Sequence, residues 1–159
     1  MSPQEIYDKL KARYGEAILE VKIEGVLDPF VKVAPASIRD VSYFLRDDPE
    51  LQFDYLMCLS SMDYGKGTLG VVYNLYSMTK RHKITLKVDV PVDRAEVPSV
   101  ESVWPSANWH EREAYDMMGI VFTDHPDLRR ILLPDDYPGY PLRKDFKVPE
   151  FYQGMKVPY

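Results

Sequence analysis

The chain has a single cysteine, Cys58, among its 159 residues. One thiol cannot close an internal disulfide, and it cannot by itself hold a cysteine-ligated zinc or iron–sulfur cluster. Cys58 stands in a strand-like apolar run and reads as a small buried hydrophobe. Long apolar runs are also missing: nothing approaches the ~18 residues that cross a bilayer, so no membrane span is expected. The opening MSPQEIYDKLKARYGE lacks the apolar core of a signal peptide, which points to residence in the cytoplasm. There is no surplus of positive charge. Twenty Lys and Arg against 25 Asp and Glu leave a net charge of −5, which argues against a nucleic-acid binder. The glycines Gly65, Gly67 and Gly70 lack the spacing and the strand-to-helix setting of a nucleotide loop and read as turn glycines. His110-Glu111 begins like a helical zinc motif, but the position four residues on is Ala114. The other histidines, His82 and His125, lie in turns, so no metal site is expected.

What is present is the composition of one soluble globular domain, 45% hydrophobic and 28% charged. Pro3 to about Tyr14 reads as a helix, with Ser2 as N-cap, Glu5 in the first turn and Gly15 as the stop. Leu19, Val21 and Ile23 alternate with Glu20, Lys22 and Glu24 as in a half-buried strand, and Phe30 to Val33 is a short return strand. A second helix starts at Ser37, carries the stripe Ile38, Val41, Phe44 and Leu45, and ends near Asp48-Pro49. Three strands follow, Phe53 to Met62, Leu69 to Met78 and Lys83 to Val90, with connections short enough to join antiparallel neighbours. The pattern predicts an α+β fold: an antiparallel sheet with helices packed on one face. Pro98 to Trp104 reads as a short helix broken by Pro105. Asn108, with Glu111 three residues on, reads as a capping box for one more helix, stopped by Gly119. Residues 1–120 are thus expected to form the globular domain. Residues 121–159 form an extended arm rich in Pro, Arg and aromatics that cannot build a core alone.

The densest stretch is Trp109 to Phe146, WHEREAYDMMGIVFTDHPDLRRILLPDDYPGYPLRKDF. Glu113 and Asp116 stand three apart on one helix, the spacing of an acid–base pair. The plainer reading has Glu111 and Glu113 complementing the helix dipole and Arg112 facing Asp116. A third reading has these carboxylates clamping the arm through Arg129, Arg130 or Arg143, since a guanidinium binds a carboxylate bidentately. His125-Pro126 reads as a turn with its imidazole satisfied locally, and a part in proton movement stays open. Core packing accounts for Trp104, Trp109 and Tyr115. The tail aromatics Tyr137, Tyr140, Phe146, Phe151, Tyr152 and Tyr159 look like interface anchors.

Glu111-Arg112-Glu113, Asp116, Met117-Met118, His125, Arg129 and Ile131-Leu132, followed by Gly139-Tyr140-Pro141-Leu142-Arg143-Lys144-Asp145-Phe146, resemble the C-subunit family of bacterial NADH:quinone oxidoreductase (respiratory complex I). That family is related to the J-type subunits of the plastid and cyanobacterial NAD(P)H dehydrogenase-like complex. The first hundred residues match it only in general layout. The resemblance implies a non-redox structural subunit of the peripheral, cytoplasm-facing arm of a proton-translocating complex on the inner membrane. It implies packing beside the large quinone-site subunit and the terminal iron–sulfur subunit. FMN and iron–sulfur clusters would then sit in partner subunits, with no catalytic, cofactor or metal residue in this chain. The residues marked for the interface are Glu111, Arg112, Glu113, Asp116, His125, Arg129, Arg130, Arg143, Lys144 and Asp145. Two alternatives stay open: the equivalent subunit of a hydrogenase-related or reduced-deazaflavin dehydrogenase complex, and a free-standing hydrolase using Glu113 and Asp116.

Overall fold

The computed structural model describes residues 1–157. The chain runs α1 (Pro3–Tyr14), β1 (Ile18–Lys22), β2 (Phe30–Val33), α2 (Ile38–Asp47), β3 (Tyr55–Gly65), β4 (Thr68–Tyr76), β5 (Lys83–Pro91), β6 (Glu96–Pro98), α3 (Ala107–Met118), β7 (Val121–Thr123), β8 (Phe151–Tyr152) and β9 (Met155–Lys156). The first helix starts where its cap dictates. The Ser2 hydroxyl accepts the Glu5 amide, and the Glu5 carboxylate accepts the Ser2 amide at 2.7 Å.

Five strands form one sheet in the order β1-β2-β5-β4-β3. The β3–β4–β5 meander and the β1–β2 pair are antiparallel, as their short connections require. The join between them is not. β2 pairs with β5 in parallel, Phe30 opposite Thr85, so the sheet is mixed where a purely antiparallel one was expected. The chain between these two strands contains α2 and the β3–β4 hairpin, ample length for a crossover that returns in the same direction. In β1 the expected alternation is broken by a bulge: Ile18 pairs with Val33 and Glu20 with Lys32, leaving Leu19 unpaired and exposed.

A single core holds the domain together. Ile6 and Leu10 of α1, Ile38, Val41 and Leu45 of α2, and Ala107 and Ala114 of α3 join the inward side chains of the sheet. Full burial of each large aliphatic side chain contributes ~1.5–3 kcal/mol before entropy is counted. Cys58, expected inside, is only half-buried. The core does not stop at residue 120. Val121–Thr123 forms a parallel pair with Glu96–Pro98, and Phe122 is buried.

Two local expectations fail near α3. Pro98 to Trp104 is no helix: it begins as β6 and continues as a tight turn in which the Val103 and Trp104 amides both bond to the Val100 carbonyl. The α3 N-cap is Ser106, with no side-chain cap bond, rather than Asn108. Glu111, expected to serve its own helix start, points inward and takes up the amide of Val100 instead.

Candidate functional site

Two carboxylates on α3, Glu111 and Asp116, are fully buried, and each grips a different piece of chain. Glu111 holds the turn after β6. Its Oε2 accepts the Ser99 hydroxyl at 2.6 Å and its Oε1 accepts the Val100 amide at 2.7 Å. Burial pushes this carboxyl up to about 7, against the pull of those two hydrogen bonds. The buried imidazole of His125 lies beside it, with Nε2 at 3.9 Å from Glu111 Oε2 and 3.2 Å from the Asn108 carbonyl. Nδ1 of His125 accepts the Asp127 amide at 3.0 Å, which places the ring proton on Nε2. Arg39 reaches across from α2, donating to the Ser99 carbonyl at 2.8 Å, the Thr123 carbonyl at 3.0 Å and the Asp124 carboxylate at 2.9 Å. One guanidinium thereby ties α2 to the ends of β6 and β7.

Asp116 holds the arm. Its Oδ2 accepts three consecutive amides, Ile131 at 3.0 Å, Leu132 at 2.7 Å and Leu133 at 3.0 Å, while Oδ1 accepts Arg130 at 2.9 Å. Burial by itself would raise this carboxyl, but the amides and the guanidinium outweigh it and hold it below the usual carboxylate value. Successive amides turned onto one anion form a small anion-binding concavity. Arg130 then relays the grip outward, donating to the carbonyls of Tyr137 at 3.2 Å and Gly139 at 3.1 Å.

Arg143 makes the third fastening, though not to a carboxylate. Its Nε donates to the Met118 carbonyl at 2.6 Å, and the Leu142 amide donates to the Met117 carbonyl at 3.2 Å, so the arm satisfies the open C-terminal carbonyls of α3. Between these bonds Gly119 sits in the left-handed region, φ 71°, with the Tyr140 ring pressed on it. A Cβ there would lie 2.5 Å from that ring. The Lys144 amide donates to Asp63 at 2.8 Å, which anchors the arm at the β3–β4 turn.

The remaining expected residues fall out as follows. Arg112 does not face Asp116. It lies over the Trp109 ring at 5.1 Å and its Nε reaches the Arg129 carbonyl at 3.4 Å. Arg129 pairs with Asp127 rather than with the helix, and Glu113 and Asp145 are exposed. Glu113 and Asp116 form no acid–base pair, because Asp116 is buried and committed to four donors. Trp109 is 66% exposed instead of packing in the core, whereas Trp104 is buried with its indole donating to the Phe53 carbonyl at 2.8 Å. In the arm, Tyr137 packs against Phe146 and Tyr152, and the Tyr152 hydroxyl donates to Asp136 at 2.8 Å. Tyr159 lies outside the described residues. Sequence reasoning missed Arg39, Ser99 and Asp63, whose bonds to Ser99, Glu111 and Lys144 span 60, 12 and 81 residues. Among the described residues no helix is long and apolar enough to cross a membrane, and no three His, Cys, Asp or Glu side chains are grouped to hold a metal.

The family described as "Respiratory-chain NADH dehydrogenase, 30 Kd subunit" matches residues 31–152. The chain belongs to this family. It is 49% identical over 154 residues to the C subunit of the NADH-quinone oxidoreductase of Chloroherpeton thalassium, a match covering 96% of this chain and 64% of that protein. The chain therefore spans somewhat less than two thirds of that relative. Against the same subunit of Chlorobium phaeobacteroides it is 46% identical, covering 96% of this chain and 93% of the relative. With that of Roseiflexus castenholzii the identity is 52%, over 86% of this chain and 79% of the relative. Two solved structures share the fold at 25% identity. A trypsin-resistant fragment (1–134) of Nqo5 gives a TM-score of 0.67 over 80% of this chain and all of that one. A chain of the membrane-bound sulfane sulfur reductase, an archaeal respiratory membrane complex, gives 0.73 over 91% of this chain and 85% of its own. Helix α3, which carries Glu111-Arg112-Glu113, is the helix whose Asp116 and C-terminal carbonyls hold the arm.

Proposed function

We propose that the chain is a non-redox, structural subunit of the peripheral arm of a proton-translocating NADH:quinone oxidoreductase. In this reading residues 124–157, held by Asp116, Arg143 and Asp63, form a docking arm that lies beside the quinone-site subunit and the terminal iron–sulfur subunit on the cytoplasmic face. FMN and the iron–sulfur clusters belong to partner subunits. The observation that carries the reading is the arm itself. It is fastened at three points along its inner side, yet it leaves Leu132, Leu142, Val148, Phe151 and Met155 each more than half exposed. That much apolar surface on so polar a backbone suits a protein interface.

The fold shared with the sulfane sulfur reductase complex supports a second reading, the same structural role beside a different electron-input subunit. The identities of 46%, 49% and 52% to NADH-quinone oxidoreductase subunits favour the first. Affinity capture of the chain from solubilised native membranes separates them. Co-purification of quinone-site and NADH-oxidising subunits is expected, and recovery of the chain alone would contradict both readings.

A further inference from the structure

The two edges of the main sheet differ in how they meet solvent. β1 carries Glu20 and Lys22, charges that discourage an added strand. β3, eleven residues long, closes the other edge. Its segment Tyr55–Met62 contains no charged residue, exposes Tyr55, Met57 and Met62, and pairs with β4 in register from Cys58 to Asp63, with a register shift on either side, between Leu56 and Cys58 and between Asp63 and Gly65. Among the described residues nothing hydrogen-bonds to the outward backbone of this segment. Beside it lies a groove of about 320 Å³, walled by residues 58–61 on one side and by His110, Glu113, Ala114 and Met117 of α3 on the other, with Leu142 at its end. Side chains of consecutive strand residues point to opposite faces, so a groove that touches four in a row runs along the backbone edge itself.

We propose that this groove is a strand-addition site that takes one extended segment of a partner subunit, paired with β3 and carrying a Lys or Arg opposite Glu113. Unpaired edge amides and carbonyls supply the register-setting bonds, and the small side chains Ser60, Ser61 and Ala114 leave room for a backbone. Glu113 is exposed and makes no ion pair among the described residues, so its charge is available to a basic side chain. A second copy of this chain does not fit. Its own β3 is flanked by its own α3, and that bulk cannot enter a slot between a strand and a helix. The site rests on the chain being a subunit of a larger assembly, and the Leu142–Met117 bond that fastens the arm closes its end.

Residue-resolved amide exchange of the isolated chain and of the detergent-solubilised assembly tests it. In the isolated chain alternate amides of residues 58–62, those not bonded to β4, exchange freely. In the assembly they slow to the rate of their paired neighbours, giving protection at every position. A photo-reactive side chain at Ser60 then captures an extended segment of another subunit. Glu113→Lys returns fast exchange at the same alternate amides while the isolated chain keeps its melting temperature. Fast alternate amides in an assembly that still contains the chain would overturn the site while leaving the subunit reading intact. Capture of a second copy or of the chain's own arm would overturn it equally. An unaltered pattern in Glu113→Lys would remove the basic side chain from the proposal.

Discussion

Asp116 Oδ2 and the amide of Leu132 stand 2.7 Å apart, with the amides of Ile131 and Leu133 converging on the same oxygen at 3.0 Å. A carboxylate with no exposed surface is thus solvated by the backbone of the arm, and the arm's course is fixed by it. Asp116→Asn puts an amide group against these donors and leaves Arg130 without its charge partner. Breaking a buried pair in this way costs about 3–5 kcal/mol of local stability. Trypsin should cut the arm of the isolated variant several times faster than that of the wild type, with the core melting transition little changed. Because the carboxyl is held low in the folded chain, its contribution is full above about pH 3.8, the ordinary value, and fades as pH falls below it.

Glu111 has the opposite sign. Its carboxyl lies near 7 when folded against 4.5 as its ordinary value, so the folded chain holds the extra proton. Stability is then fully present below about pH 4.5 and declines as pH rises to about 7, a change on the order of 3 kcal/mol for this one group. Thermal unfolding at pH 5 and pH 8 should show the loss. Glu111→Gln, which still accepts the Val100 amide, should flatten that part of the profile. A wild-type chain equally stable at both pH values would contradict the burial argument.

Gly119 is the one residue at the α3 end that meets two demands at once, a left-handed backbone and the overlying ring of Tyr140. Gly119→Ala should lower stability by about 1–3 kcal/mol, the cost of a strained backbone with the clash added. The double variant with Tyr140→Ala removes the clash but not the φ, so it should recover only part of the loss in a denaturant titration.

Much of the fold was legible because it is written in local codes. Ser2, Pro3 and Glu5 announce α1, and Gly119 ends α3 where a left-handed stop is needed. The parallel join of β2 to β5 was not legible, since nothing in either strand records which distant neighbour it will meet. At the site, of the two partners the sequence offered for Asp116, the arm's Arg130 is the one the structure pairs with it, and Arg112 is not. Arg112, one turn from Asp116, was the nearest candidate in sequence, yet the buried carboxylate pairs with Arg130, fourteen residues on, because the arm folds back over the helix. Arg143 likewise found a helix-end carbonyl in place of a carboxylate. Trp109 was misplaced because its size suggested the core, while its position on α3 faces solvent.

The arm's exposed side chains imply a difference between free and assembled chain. Limited proteolysis of the isolated protein should cut first between Pro134 and the C-terminus, at rates well above any cleavage within the sheet, and the same bonds should be protected in solubilised native membranes. Equal resistance of arm and sheet in the free chain would contradict a docking role.

The claim that the arm joins this subunit to its neighbours meets its most direct test at Arg143. Arg143→Ala removes the Met118 bond and the 4.8 Å stacking over Tyr140, and Arg143→Lys keeps the charge without the planar guanidinium. On native gels of solubilised membranes the account predicts loss of the assembled quinone reductase band in Arg143→Ala and partial return in Arg143→Lys, with the isolated domain melting as in wild type. Wild-type assembly and quinone reductase activity in Arg143→Ala would contradict it.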